Sequence, residues 1–357
     1  MVYSFLSDGI VCLGKPLYLI DSYIISVGCI GLKKLAWYSD LLALSIALEV
    51  SVYPKPGNVH RYADYPDLLF EDFLAGAIAT HKWLYRAVKR GYTGDYSRYT
   101  VGDIIYYGLR DSMRLTGRGN TCLGTLLLLA PLALAIGSLV RDGKETRSST
   151  LASTATGILR EHSTVDDSIM FYRAVRLASP SYIRSDDDVG EYPNVWDSDY
   201  IDRLRRANAR LWDILVHSSR RDIVSSEIVG SYTRSIATSS AIDEFFRETG
   251  DWNEAVVRAY IMLLADNIDT MVLRKHGAGD AYYLKMRAME IKELMLKSRR
   301  EWVEELWKLD KELHGKRINP GSLADILASS IALYLLEKRE NVFDIWRSSS
   351  NYHQETA

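Results

Sequence analysis

From Leu123 to Val140 the chain is an almost uninterrupted apolar run. A run of this length has two stable destinations. It crosses a bilayer, or it is the central helix of a large helical protein, apolar all round because every face meets another helix. Gly124, Pro131 and Gly137 interrupt it, and no basic cluster consistently flanks one end. The buried central helix is the expected state, with no membrane partner.

Helical periodicity surrounds this run. Leu35–Val50 is mostly apolar and is stopped by Pro54 and Pro56. Apolar positions of one helix face mark Phe70–Arg90, and Val101–Leu115 closes at Gly117. Ser163 with Asp166 reads as the capped start of a helix through Met170, Ala174 and Leu177. Further helices are expected over Asp199–His217, Asp222–Arg247, Asn253–Ala265 and Leu323–Leu336. The longest, Asp280–His314, places Leu284, Ala288, Ile291, Met295, Trp302, Leu306, Leu309 and Leu313 at steps of three, four or seven. No strand–helix alternation appears, which argues against a doubly wound sheet or an α/β barrel. The expected fold class is all-α: one large multi-helix domain over residues 35–347 around a buried central apolar helix. Residues 1–34, rich in Ile, Val, Tyr and Gly, read as a short non-helical or β-like appendage, or as an over-extended start. Residues 348–357 read as a polar tail.

Composition excludes several function classes. With 44 Lys and Arg against 46 Asp and Glu, no basic excess points to nucleic acid. Cys12, Cys29 and Cys122 form no CxxC, so neither a zinc ribbon nor a redox dithiol is indicated, and a reducing cytoplasm is the expected compartment. The 7 histidines lack metal-binding spacing. Gln354 is the sole glutamine, and this shortage of thermolabile amides beside many ionic residues fits a thermophilic source. Self-association into a homo-oligomer is compatible with the sequence. The triplet Asp186, Asp187 and Asp188 reads as a solvated loop.

Four polar segments interrupt the helices. In Glu49–Arg61, Pro54 and Pro56 fix the backbone around Lys55, and Gly57 permits a turn or a close approach. Lys55, His60 and Arg61 supply positive charge while Glu49 and Asp67 supply carboxylates, a mixture suited to phosphates with a divalent metal. Gly119-Asn120-Thr121 precedes the apolar run, where Asn120 or Thr121 can cap a helix mouth that favours an anion. The lysine of a P-loop is missing, because Gly124 is followed directly by Thr125. Asn319-Pro320-Gly321-Ser322 reads as a second helix start, with Asn319 as N-cap, Pro320 at the first helical position and Asp325 about one turn in. Asp269-Thr270 with Arg274 and Lys275 reads as a helix end able to hold a metal-bound nucleotide. The alternatives are an ordinary interhelical loop for the first segment, capping alone for the second and third, and a surface charge cluster for the fourth.

In this order the segments resemble the triphosphoribosyl-dephospho-CoA synthase family. The resemblance rests on Glu49-Val50-Ser51 with Pro54-Lys55-Pro56-Gly57, Asp67 ahead of Phe73, Gly119-Asn120-Thr121 with Gly124, Asp269-Thr270, and Asn319-Pro320-Gly321-Ser322 with Ala324-Asp325. It implies transfer of the triphosphoribosyl group of ATP to 3′-dephospho-CoA with release of adenine. It also implies catalytic roles for Glu49, Asp67 and Asp325. Mg²⁺ would be held among Glu49, Asp67, Asp269 and Asp325, since that ion needs few carboxylates beside phosphate oxygens. ATP would be bound by Lys55, Gly57, Arg61, Asn120, Thr121, Arg274, Lys275, Asn319, Gly321 and Ser322. Bacterial members read Asn-Thr-His-Lys-Gly at the second segment, where this chain has Cys122 and Leu123 in place of His and Lys. Arg221-Asp222-Ile223 with Glu227 is closer to the archaeal branch. Two other readings stand beside this one: a different ATP-dependent ribosyl or phosphoryl transferase or nucleotide hydrolase on the same fold, and a non-catalytic helical nucleotide-binding protein.

Overall fold

The structure is a computed structural model that describes residues 23–185, 190–297 and 300–338. Its first helices are α1 (Tyr23–Ser51), α2 (Phe70–Thr93), α3 (Gly102–Thr116), α4 (Leu123–Arg141) and α5 (Ser148–His162). They are followed by α6 (Val165–Ala178), α7 (Tyr200–Arg206), α8 (Leu211–Ser218), α9 (Ile223–Val229) and α10 (Thr233–Thr249). The last are α11 (Trp252–Asp266), α12 (Thr270–His276), α13 (Ala278–Leu296), α14 (Glu301–Lys316) and α15 (Gly321–Glu337). Among the described residues the β-like features are two isolated bridges, His60 to Ala63 and Tyr65 to Leu68. The fold is all-α, as the periodicity predicts. Residues 23–34, expected as strand or irregular chain, are helical. Residues 1–22, the aspartate triplet at 186–188 and the polar tail lie outside the described residues.

The larger of two compact units begins at Leu35 and contains the site. At its centre α4 is buried from Thr125 to Leu139, and 78% of its most apolar window is enclosed by the protein. By length and composition α4 could cross a membrane. Here it packs on α2, α3, α5 and α15. The approach to α2 is backbone against backbone. A Cβ on Gly137 would meet Val88 O at 1.9 Å, and one on Gly91 would meet Leu134 O at 1.9 Å. α15 is the second apolar helix, buried at Leu323, Ile326, Leu327 and Ile331 through Leu336. Packing α15 on α4 brings the N-terminal turns of both helices together, and this creates the site.

Three expected helices are broken in two. Between α7 and α8 the chain turns at Asn208, with φ 46°. Between α9 and α10 it turns at Ser231 and Tyr232, with φ 54° and 58°. The third break separates α13 from α14. All eight apolar positions that suggested one long helix are buried, yet Met295 and Trp302 belong to different helices. A step of seven keeps the apolar face in phase, so periodicity carries no mark of the break. α5 is rich in Ser and Thr, which weaken its helix propensity, although Leu151, Ala152, Ala155, Ile158 and Leu159 share one buried face.

Candidate active site

Glu49 lies in the last turn of α1 and is buried, as is Lys55 in the loop that follows. The Lys55 ammonium pairs with Glu49 Oε1 and donates to the Glu49 carbonyl at 3.1 Å. Burial pushes the Glu49 carboxyl up and the Lys55 ammonium down, and each is held back by the other's charge. The two prolines and the Asn58 N–H bond to Lys55 O (3.0 Å) fix the loop around this pair.

The paired helix mouths form the opposite wall. Asp325, one turn into α15, lies so close to α4 that a Cβ on Gly124 would meet its Oδ2 at 2.0 Å. Thr125 donates its hydroxyl to Asp325 Oδ1. Burial pushes the Asp325 carboxyl up to about 8, and the charges of Glu49, Asp269 and Asp222 add to the effect against the Thr125 hydrogen bond. The N-cap of α4 is Cys122 rather than Asn120 or Thr121, but Asn120, two residues earlier, accepts the N–H groups of Cys122 and Leu123 at 3.0 and 2.9 Å and so occupies two donors that an anion would otherwise have met. Asn319 is one residue outside the N-cap, which is Pro320. Its Oδ1 instead accepts from Asn58 Nδ2 at 2.8 Å, while Asn58 Oδ1 accepts from the Tyr260 hydroxyl at 3.0 Å.

Asp269 begins a helix rather than ending one. It caps α12 through Val272 N (2.9 Å) and accepts Leu323 N (2.8 Å), tying the starts of α12 and α15 to one carboxylate. Burial pushes it up to about 6.

Between these walls lies a cavity of about 360 Å³. Of the residues named from sequence, Glu49, Lys55, Asn120, Thr121, Arg274, Asn319, Gly321, Ser322 and Asp325 line it. Gly57, Arg61, Asp67, Asp269 and Lys275 do not. Asp67 is 75% exposed and pairs with Arg317, and Arg61 packs over the Tyr53 ring. Lys275 is exposed. Gly57 serves the loop: its φ is +71°, and a Cβ there would meet Ile318 O at 2.2 Å. Gly57→Ala is therefore expected to destabilise the protein by about 3 kcal/mol or more, read as a fall in the thermal midpoint.

Sequence reasoning gave no site role to Asn58, Thr125, Asp222, Tyr182 or His217, all of which line the cavity. Asn58 stands inside the first segment and Asp222 inside the Arg-Asp-Ile segment, so a signal existed for these two. Tyr182 and His217 come from a loop and a helix whose placement no local pattern records. One end of the cavity is acidic and amide-rich. The other is apolar, walled by Phe171, Val175, Ile183, Tyr192, Pro193 and Ile214. Arg274 also lines the cavity, with its guanidinium over the Tyr182 ring, 5.1 Å from the centroid. Among the described residues no group of three or more His, Cys, Asp or Glu side chains is arranged to hold a metal ion unaided. Asp222, Asp325 and Glu49 nevertheless present hard oxygen donors to one space.

Residues 35–343 match the family described as CitG, ATP:dephospho-CoA triphosphoribosyl transferase. Among solved structures, similarity extends to a protein from Archaeoglobus fulgidus provisionally assigned as a triphosphoribosyl-dephospho-CoA synthase. The two are 25% identical, with a TM-score of 0.55, over 74% of this chain and 98% of that one.

Proposed function

Because the chain belongs to the ATP:dephospho-CoA triphosphoribosyl transferase family, we propose that it moves the triphosphoribosyl group of ATP onto a ribose hydroxyl of 3′-dephospho-CoA and releases adenine. The observation that carries the reading is the meeting of Lys55, Arg274, two helix mouths and three carboxyl groups around one cavity. The C1′–N9 bond of ATP breaks and a C1′–O bond forms, and the proton lost by the hydroxyl balances the one adenine gains. Lys55 and Arg274 bind phosphate oxygens, with the mouths of α4 and α15 adding their partial positive charge. Glu49 offsets the positive charge that develops at C1′ and takes the hydroxyl proton. The oxygen donors of Asp325 and Asp222 fit Mg²⁺, which needs only one or two carboxylates beside phosphate, and it would neutralise triphosphate charge there. The apolar end suits an aromatic base.

Incubation with Mg-ATP, with and without 3′-dephospho-CoA, tests this. Free adenine that appears only with both substrates supports the transfer. ADP or AMP would move the assignment to a second reading, another ATP-dependent transferase or a nucleotide hydrolase. That reading is favoured by Cys122 and Leu123, which put no charge where bacterial relatives carry His and Lys: burial pushes the Cys122 thiol up to about 12. Asp67→Asn, which alters only an exposed ion pair, is expected to leave the transfer rate within about twofold of the parent.

A further inference from the structure

Asp310, on α14, is buried, lies outside the cavity lining and has no role in the proposed chemistry. A buried carboxylate is stable only when its oxygens are well supplied with donors. Those of Asp310 are supplied largely by one loop. Gly57 N–H donates to Oδ1 at 3.0 Å, and His60 Nε2 lies 3.1 Å from Oδ2. His314, one turn further along α14, places Nδ1 3.1 Å from Oδ1 and 3.0 Å from the Asp310 carbonyl.

The ring protons follow from the partners. Tyr62 N–H donates to His60 Nδ1 at 3.2 Å, so the His60 proton sits on Nε2 and points at Asp310. His314 Nδ1 faces two acceptors and carries its proton too. Gly57 is also held on its other side, where its carbonyl accepts the Tyr65 hydroxyl at 2.7 Å, and Tyr65 stacks on His314 at 4.9 Å. Both peptide groups of Gly57 are thus tied down two residues after Lys55. Asn58 follows directly, and its side chain holds Asn319.

We infer that Asp310 is a positioning residue: with His60 and His314 it clamps the loop from Lys55 to His60 onto α14, and so fixes where Lys55 and Asn58 stand in the cavity. The consequence for nucleotide binding rests on the reading of Lys55 as a phosphate ligand, but the clamp itself does not.

The test is the reactivity of Lys55 in the folded, ligand-free protein. Parent and variants are treated briefly with acetic anhydride, and the Lys55 peptide is quantified by mass spectrometry. In the parent, Lys55 is 2% exposed and is expected to react slowly. Asp310→Asn keeps the shape but turns a donor toward the loop's own donors. It is expected to raise Lys55 acetylation at least tenfold, with exposed lysines and the helical circular dichroism unchanged. His314→Leu gives the same rise. His314→Asn, whose amide can donate where Nδ1 does, stays near the parent. Leu151→Ala, which loosens the core on α5, controls for general destabilisation and leaves Lys55 slow. Unchanged Lys55 reactivity in His314→Leu, together with an unchanged or unfolded Asp310→Asn, overturns the clamp. Calorimetry with Mg-ATP separates the two ideas. Binding at least tenfold weaker in the clamp variants than in the parent supports both. A parent that binds no Mg-ATP removes the phosphate role of Lys55, while the labelling still decides the clamp.

Discussion

Asp325→Asn is expected to give a protein that melts higher than the parent and, having lost a carboxylate proposed to hold Mg²⁺, transfers at least about a hundredfold more slowly. The two effects share one origin. Asp325 is half-buried where the mouths of α4 and α15 meet, among the charges of Glu49, Asp269 and Asp222, and desolvation there makes it hold its proton to about pH 8 against an ordinary value of 3.8. In the unfolded chain the same carboxyl ionises near its ordinary value. Between those limits the folded state binds more protons than the unfolded one, so this group's contribution to stability falls as pH rises from about 4 to about 8. Asparagine is neutral throughout and can still accept the Thr125 hydroxyl. The stability gained by the substitution should therefore be near zero at pH 4 and grow by about 1.4 kcal/mol per pH unit. By pH 7 it is on the order of 4 kcal/mol, which displaces the thermal midpoint by several degrees. The measurement is a set of melting curves from pH 4 to 8.5 in chelator, for parent and variant. A difference that does not depend on pH would show that Asp325 does not hold its proton in the folded state. Retained activity would remove it from the chemistry. The combination of more stable and less active is what a functional group kept in an unfavourable environment should give.

Much of the fold was legible because burial and periodicity are the same information. The apolar run at 123–140 is apolar on all faces, and the helix it forms is enclosed on all faces. Where the chain turns without changing its apolar phase, as between Met295 and Trp302, periodicity sees nothing. The site was legible in its loops, because proline, glycine and asparagine must stand where the backbone turns. It was not legible in its long-range pairings. Asp67 and Asp325 both follow a turn that contains proline, yet one is exposed beside Arg317 and the other is half-buried against Gly124. The difference is set by the packing of α15 on α4, some two hundred residues apart in sequence. Asp310 was invisible for the same reason: within its own helix it is an unremarkable acidic residue, and its partners His60 and Gly57 lie in a loop 250 residues earlier.

The Glu49–Lys55 pair gives the second large effect, and its two halves should fail in opposite directions of pH. Both side chains are buried, and removing one member of such a pair leaves the other charge without compensation, a loss of about 3 to 5 kcal/mol. In Lys55→Met the remaining group is a carboxyl already pushed up by burial. Without the ammonium it rises further, so the folded state takes up protons that the unfolded state does not hold, and the damage deepens as pH rises. In Glu49→Gln the remaining group is an ammonium already pushed down by burial. It escapes the interior by losing its proton, and the damage deepens as pH falls. The double variant Glu49→Gln with Lys55→Met carries neither charge and should recover most of the lost stability at every pH. Chemical denaturation of the four proteins at pH 5.5 and 8.5 reads this directly. Parallel losses at both pH values, or a double variant as unstable as the sum of the singles, would mean that the two charges do not depend on each other. Mg-ATP binding behaves differently, because it needs the ammonium itself rather than a balanced interior. The stable double variant should still bind at least about tenfold more weakly than the parent, as expected on loss of one charge-assisted phosphate contact.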